Sequence, residues 1–350
     1  MPPSKPCYSA SCCSRHPRAC QNQAPRTHSR IIVSEVARAE AEQSAGALRA
    51  LAEWPDGDIV VSHTNGANIA FARNWWQHLE AVGLQNYALL ATDDDAYNQL
   101  RHEIPSHAVR CPRSIVGDMG GKNHRDAGPS RYRSAGWTRL MFAVPLMVRW
   151  VLRLGLNVLW MDTDVIALAN PFPVIRAQVV ESFREHSKSG SSSGSSGLLL
   201  ASVDGRVPDE DLRECRQAYS SNRKWGRSAG GWKLCGGLFY LQHGNAALAF
   251  LREWESRLGK PGAGAKNQPH YNEALRTSSS GLSVQLLPCD LFPNGYRYAS
   301  HAWRRAQGEG RRPVLVHNNW IKGHEAKLSR FKEWGMWMAE NRSLLQTRDV

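Results

Sequence analysis

Long hydrophobic runs are missing from this 350-residue chain. The nearest candidate, residues 140–161, is interrupted by Arg149 and Arg153, and falls short of the roughly 18 consecutive apolar residues that a membrane-spanning helix needs. An N-terminal signal with a clean apolar region is missing as well. Cysteine is sparse, eight residues in all, and at this length they do not make a disulfide framework. Cys7, Cys12, Cys13 and Cys20 crowd the start, but no Cys/His set at zinc spacing follows them. Cys111, Cys215, Cys235 and Cys289 are scattered and leave the redox compartment open. Acid is in deficit: 31 Asp and Glu stand against 44 Lys and Arg, a net charge of +13 that attracts anions. Nucleic acid is not the expected partner, because no basic helix, zinc-finger spacing or RNA-binding signature accompanies the charge. An anionic nucleotide or a negatively charged membrane surface accounts for it as well. There is no internal repeat.

What is present is a globular composition, with 42% hydrophobic residues, and a length that suits one large domain or two smaller ones. Residues 1–28 are rich in Pro, Ser and Arg, lack any period and read as a disordered arm. Residues 29–56 read as an N-terminal amphipathic helix with its closing turn, and residues 57–340 as a single domain. A Ser/Gly-rich surface loop interrupts that domain at 187–197. The run at 58–62 predicts a strand that ends in His63-Thr64-Asn65-Gly66. A helix over 70–82 follows, with Trp75, Trp76 and Leu79 inward, and then a second strand over 87–91 ending in Thr92-Asp93-Asp94-Asp95. In such a β-α-β unit both polar strand ends fall on the same edge. Helices over 137–154, 174–186 and 245–258 alternate with strands over 198–202 and 238–241. That alternation predicts an α/β fold, a mainly parallel central sheet with helices on both faces.

The most informative segment is Asn157-Val158-Leu159-Trp160-Met161-Asp162-Thr163-Asp164-Val165-Ile166. An apolar strand ends abruptly in two carboxylates at i and i+2, a second apolar run follows, and Asn170-Pro171-Phe172-Pro173 stops the element. Carboxylates at the end of a buried strand are costly to desolvate unless something positive sits on them. The carboxyl end of a strand in an α/β sheet is also where ligands bind. A divalent cation that itself holds a phosphate satisfies both conditions. The bland reading is a solvated turn. The same pattern also resembles the phosphatase motif of haloacid dehalogenases, but that motif belongs near the start of its domain, with a lysine and a late acidic pair downstream, and no such pair follows here.

Five segments in order carry a more specific resemblance. They are Ile59-Val60-Val61-Ser62-His63-Thr64-Asn65 with Asn74-Trp75-Trp76 behind it, the acidic segment from Leu152 to Val165, Cys235-Gly236-Gly237-Leu238-Phe239-Tyr240, Gln268-Pro269-His270-Tyr271-Asn272-Glu273-Ala274-Leu275, and Val316-His317-Asn318-Asn319-Trp320. With them the chain resembles the nucleotide-diphospho-sugar transferases of plants and algae that make up glycosyltransferase family seventy-seven. The resemblance implies a Rossmann-like fold of the GT-A type and a metal-dependent, retaining transfer of arabinose, xylose or galactose. The donor is then a UDP-sugar, the cofactor Mn²⁺ or Mg²⁺, and the acceptor a glycan or glycoprotein of the cell wall. Asp162, Asp164 and His317 would hold the metal, with Asp162 also within reach of the ribose. Thr64, Asn65 and Asp93 would line the uridine pocket, although each can equally cap a helix. Lys122 and Arg139 are candidates for the phosphate oxygens, on the cation excess of their loop and helix.

Gly236 and Gly237 would let backbone approach the sugar, a turn in one reading and a bulge at a strand start in the other. Gln268 and Asn272 match a family segment usually read as Asp-Gln…Phe-Asn, with Asn267 in place of the Asp and Tyr271 in place of the Phe. The missing carboxylate favours a front-face reaction in which Gln268 stabilises the developing cation. Glu273 or Asp290 would be the substitutes if a carboxylate is needed. A rival class is a degenerate relative that binds nucleotide-sugar or glycan without turnover. Family members act in the Golgi lumen or at its membrane, and membrane association is expected only through an anchor that this sequence does not display.

Overall fold

The computed structural model describes residues 24–52, 56–116, 135–188, 197–205, 233–258, 266–278, 280–300 and 312–340. Lys122, the four N-terminal cysteines and most of the 187–197 loop lie outside the described residues. Helix α1 covers Ala24–Leu51 and so begins inside the stretch read as an arm. After it come β1 (Asp58–Thr64), a 3-10 turn at Gly66–Asn68, α2 (Ile69–Ala81) and β2 (Tyr87–Ala91). Next are α3 (Asp94–Glu103), β3 (Ala108–Arg110), α4 (Arg113–Val116), α5 (Ala135–Leu152) and β4 (Asn157–Met161). The second apolar run becomes β5 (Val165–Ala167), followed by α6 (Phe172–Lys188), β6 (Leu198–Val203) and β7 (Leu234–Leu241). The last third contributes α7 (Asn245–Arg257), α8 (Asn267–Thr277), β8 (Ser283–Leu286), α9 (Gly295–Ala299), β9 (Leu315–His317) and α10 (His324–Glu333).

Seven strands form one sheet in the order β3-β2-β1-β4-β7-β6-β8. The pairs β3–β2, β2–β1, β1–β4 and β6–β8 are parallel, and only β7 runs antiparallel to both of its neighbours. The expected α/β architecture, a mainly parallel central sheet covered by helices, is present. The strand order reverses between β1 and β4, which makes their carboxyl ends a topological switch point where ligands settle in such sheets.

Alternation along the strands supplies both faces. Ile59, Val61, Val158 and Trp160 pack with α5, α7 and α8 through Val148, Phe250, Trp254 and Tyr271. Val60, Leu159, Met161 and Leu238 pack with α2 and α6 through Trp75, Leu79, Phe172 and Ile175. A strand covered on both sides must be apolar at every position, which is why β2, β4 and β7 read as short continuous apolar runs.

Cys235-Gly236-Gly237 lies within β7 and is not a turn. Ala201 pairs with Phe239 but Val203 with Leu234, so two steps along β6 answer five along β7; the irregularity falls on the Cys235-Gly236-Gly237 stretch, as the bulge reading expects. Because β7 is antiparallel to β4, its start runs beside the end of β4, with Leu238 opposite Met161. The second sheet pairs β5 with β9 antiparallel and sets Val165 opposite His317. Three segments far apart in sequence, the β4–β5 stretch, β7 and β9, therefore converge on one edge.

At the other end of β1, Asp58 shows what a purely structural buried carboxylate looks like. It is 1% exposed, and its oxygens accept from Tyr240 Oη at 2.9 Å and Asn157 Nδ2 at 3.1 Å, with Arg176 Nε at 3.3 Å. Both carboxylate oxygens there are met by donors. The acids after β4 are arranged differently.

Candidate active site

The edge loop between β4 and β5 presents Asp162 and Asp164 on either side of a tight turn, closed by Val165 N donating to Asp162 O at 2.8 Å. Asp162 N donates to Gly237 O at 2.8 Å and Asn318 N to Asp164 O at 2.8 Å, so each acid is fixed by the backbone of a different strand. One ligand atom from each of Asp162, Asp164 and His317 lies within 4.8 Å of the others. Asp164 and His317 are buried, and His317 Nε2 lies 3.4 Å from Asp164 Oδ1. The other ring nitrogen, Nδ1, contacts Cys235 Sγ at 3.3 Å. Lys327, from α10, places Nζ 2.5 Å from Asp164 Oδ2.

Gly237 is part of this cradle for a steric reason. A Cβ there would sit 2.4 Å from Asp162 Oδ2 and 3.0 Å from His317 Cε1. Gly236 has no such constraint, since its Cβ would meet Gln268 at 3.8 Å. The glycine pair thus has one member that makes room for the acids and one that exposes an N–H, which Gln268 Oε1 accepts at 3.3 Å.

The electrostatics follow from burial with charge. Burial and the neighbouring Asp164 push Asp162 up to about 6, against the pull of His317, the Trp160 N–H and Lys327. Burial would also raise Asp164, but Lys327 and His317 outweigh it and hold that carboxyl well below its ordinary range. Burial opposes protonation of His317, yet Cys235 and Asp164 prevail and hold its pKa well above 6.5. A proton on the imidazole and an ammonium therefore balance the acids, the role a divalent cation would take over. Two carboxylates and an imidazole are hard-to-borderline donors that suit Mn²⁺ and, less exclusively, Mg²⁺.

Trp160 Nε1 donates to Asp162 Oδ1 at 3.1 Å, and His63 stacks on Trp160 with centroids 5.5 Å apart. Desolvation lowers the pKa of His63 from 6.5 to about 4, so the ring is neutral above that. As pH falls between these values, the unfolded chain takes up a proton on His63 that the folded chain refuses, and stability drops. Replacing His63 by leucine is expected to shrink the loss of unfolding free energy between pH 7 and pH 4.5 by about 2 kcal/mol, measured by urea unfolding at the two pH values. Equal losses in both proteins would contradict this.

The remaining candidates divide. Thr64 Oγ1 donates to Asn65 O at 3.1 Å, and Asn65 Oδ1 accepts from Asn68 N at 3.1 Å, capping the 3-10 turn. Asp93 accepts from Gly66 N at 3.1 Å and caps α3 through Ala96 N at 2.8 Å. Of the three, Asp93 latches the end of β2 to the end of β1 beside the switch point, helped by Thr92 N donating to Thr64 O at 2.9 Å. Arg139 is exposed on α5. Asn272 accepts from Leu234 N and donates to Leu234 O, both at 2.8 Å, which fixes the start of β7 on α8. Asn267 Nδ2 donates to Met141 O at 3.1 Å. Glu273 pairs with Arg276 and lies 4.0 Å from Arg257, and Asp290 is buried between β8 and α9.

Asp204 was not singled out from the sequence. It follows β6 directly, and its Oδ2 accepts from Gln268 Nε2 at 2.5 Å while its Oδ1 accepts from Asn319 Nδ2 at 3.1 Å. A carboxylate beside Gln268 is thus supplied from β6 and not from position 267. The signal was available: an apolar run ending in an acid, the same pattern as Asp162. Lys327 had no comparable signal, being one of two lysines on α10.

This edge carries a carboxylate-imidazole cluster at the switch point of an α/β sheet, the place where ligands settle in such folds. The chain belongs to the nucleotide-diphospho-sugar transferase family, whose model matches residues 82–331, and it is an enzyme of sugar transfer. It is 23% identical over 296 residues to an Arabidopsis thaliana protein described as UDP-D-xylose:L-fucose alpha-1,3-D-xylosyltransferase, covering 83% of this chain and 71% of that one. A Dictyostelium discoideum UDP-galactose:fucoside alpha-3-galactosyltransferase is 23% identical over 224 residues, 59% of this chain and 29% of that one. Among solved structures, mouse xyloside xylosyltransferase 1 in its apo form aligns with a TM-score of 0.40 at 9% identity, over 76% of this chain and 99% of that one.

Proposed function

We propose that the chain moves xylose, galactose or arabinose from a UDP-sugar to a hydroxyl of a glycan or glycoprotein, with retention of anomeric configuration and with Mn²⁺ or Mg²⁺ held by Asp162, Asp164 and His317. The observation that carries this reading is the convergence of those three side chains, with ligand atoms within 4.8 Å of one another, at the end of β4. When bound there, the metal supplies positive charge for the two phosphates and stabilises the UDP leaving group. The chain's own residues do the rest. His317 would serve as a neutral ligand, its proton lost to solvent, and Lys327, no longer needed to balance Asp164, is the candidate for a phosphate oxygen. This assigns to α10 the part that Lys122 and Arg139 were expected to play.

Thr64, Asn65 and Asp93 border the uridine, and the Gly236 backbone approaches the sugar. Gln268, held by Asp204, faces the anomeric carbon and stabilises the charge that develops there. In the front-face route the C1–O bond to UDP breaks as the acceptor oxygen bonds to C1 on the same face, and the acceptor proton passes to the departing phosphate oxygen. No protein nucleophile is required. A fucosyl acceptor fits the relatives' descriptions, which name L-fucose and a fucoside. A Golgi location fits the disulfide-bonded Cys289, since disulfides persist in oxidising lumens; among the described residues no helix is long and apolar enough to cross a membrane.

The test is release of UDP from UDP-xylose, UDP-galactose and UDP-arabinose in the presence of Mn²⁺. Turnover of at least one donor is expected, with about a hundredfold loss in EDTA that added Mn²⁺ reverses. Turnover indifferent to EDTA would remove the metal from the proposal. Tight UDP-sugar binding with no turnover would make the chain a binding relative.

A further inference from the structure

Among the described residues, the exposed large hydrophobic side chains are Val180, Phe183, Tyr296 and Trp320. Val180 and Phe183 lie one turn apart on α6. Tyr296 and Trp320 come from segments distant in sequence and meet with ring centroids 5.9 Å apart, tilted by 55°. Tyr296 is 42% and Trp320 44% exposed.

Trp320 is also the one non-glycine residue, among those described, with positive φ, at 60°. A bulky residue in the left-handed region costs on the order of 1 kcal/mol or more, and persists only where its surroundings over-determine it. Those surroundings are specific. Asn319, the preceding residue, donates to Asp204 at 3.1 Å and accepts from Gly295 N at 2.8 Å. Its carbonyl accepts from Arg330 Nη2, and Arg330 Nε donates to Asn318 Oδ1 at 2.6 Å. Gly295 has no room for a side chain, since a Cβ would lie 2.2 Å from Asn319 O. The strand end carrying His317 and the first turn of α9 are thereby locked together, and the lock holds Tyr296 and Trp320 side by side, each with part of its surface exposed. The same Asn319 side chain connects them to the Asp204–Gln268 pair.

An apolar platform joined through Asn319 to a carboxylate and to Gln268 matches a sugar ring, which has C–H faces and a circumference of hydroxyls. We propose that Tyr296 and Trp320 form the acceptor subsite, packing against the face of a 6-deoxyhexose ring while Asp204 and Asn319 meet its hydroxyls. The methyl group of such a sugar adds apolar area where a hexose would carry a hydroxyl. This inference rests on the transferase reading above, but its test does not depend on turnover.

The probe is methyl α-L-fucopyranoside, and the variants are Trp320→Asn, because asparagine tolerates positive φ, and Tyr296→Ala. Saturation-transfer NMR with UDP and Mn²⁺ present reads fucoside binding directly, and transfer assays read the acceptor KM. The unaltered protein is expected to saturate the sugar C–H and methyl protons, and each variant to weaken that signal. The acceptor KM is expected to rise about tenfold, equivalent to 1.4 kcal/mol, with kcat and the UDP-sugar KM changed by no more than about twofold. No saturation of the fucoside by the unaltered protein, or equal binding and acceptor KM in both variants, would overturn the platform. Fucoside binding without any UDP-sugar turnover would leave the platform standing and count against the enzymatic reading instead.

Discussion

Asp164→Asn is expected to lower Mn²⁺-dependent release of UDP from a UDP-sugar by at least about a hundredfold, the scale seen when a preorganised electrostatic group is lost. The side chain is 7% exposed, and its two oxygens meet Lys327 Nζ at 2.5 Å and His317 Nε2 at 3.4 Å. Asparagine keeps the shape and removes the charge, so a metal there loses one anionic ligand, while Lys327 and protonated His317 lose the carboxylate that balances them. The variant should therefore need far more Mn²⁺ for the same rate. The measurement is initial rate against Mn²⁺ concentration for both proteins, with a thermal melt to show that the variant is folded. A folded variant whose Mn²⁺ dependence is unchanged would place the metal elsewhere.

Gly237→Ala is the second large effect, and its neighbour is the control. The added methyl would lie 2.4 Å from Asp162 Oδ2 and 2.8 Å from its Cγ. Asp162 cannot step aside freely: its Oδ1 accepts from Trp160 Nε1 at 3.1 Å, and its backbone N–H is held by Gly237 O at 2.8 Å. Relief must come from moving the carboxylate out of the cluster or β7 off β4. Overpacking of this kind costs about 1–3 kcal/mol, and displacement of one ligand weakens metal binding by about 10–100-fold. Gly236→Ala, one residue away, meets only Gln268 at 3.8 Å or beyond, and its melting midpoint is expected to stay within about 2 °C of the parent. Calorimetry of both variants and a Mn²⁺ titration decide the matter. Equal behaviour of the two would show that the cradle is not as tight as described.

Much of the architecture was legible because burial on two faces leaves a compositional trace. β2 and β4 are nearly uninterrupted apolar runs, and the break from Met161 to Asp162 is visible without coordinates. The helix behind β1 announced itself through Trp75, Trp76 and Leu79, all buried in the structure. The direction of β7 left no such trace, because parallel and antiparallel central strands bury the same residues. For that reason Cys235-Gly236-Gly237 was open to reading as a turn, when it is the start of a strand lying along the acidic loop.

What the sequence determined by itself was the class of sheet, the family, and the acids at the end of β4, since each is encoded in residues adjacent along the chain. What only the tertiary structure decided was the company those acids keep. Lys327 reaches Asp164 across 163 positions, and Asp204 reaches Gln268 across 64. Pairings of that kind arise from strand order and loop closure, which bring polar groups to one edge without imposing any periodic pattern on the intervening residues. A surface lysine and an acid after a strand read alike wherever they stand, until the fold gives them a neighbour.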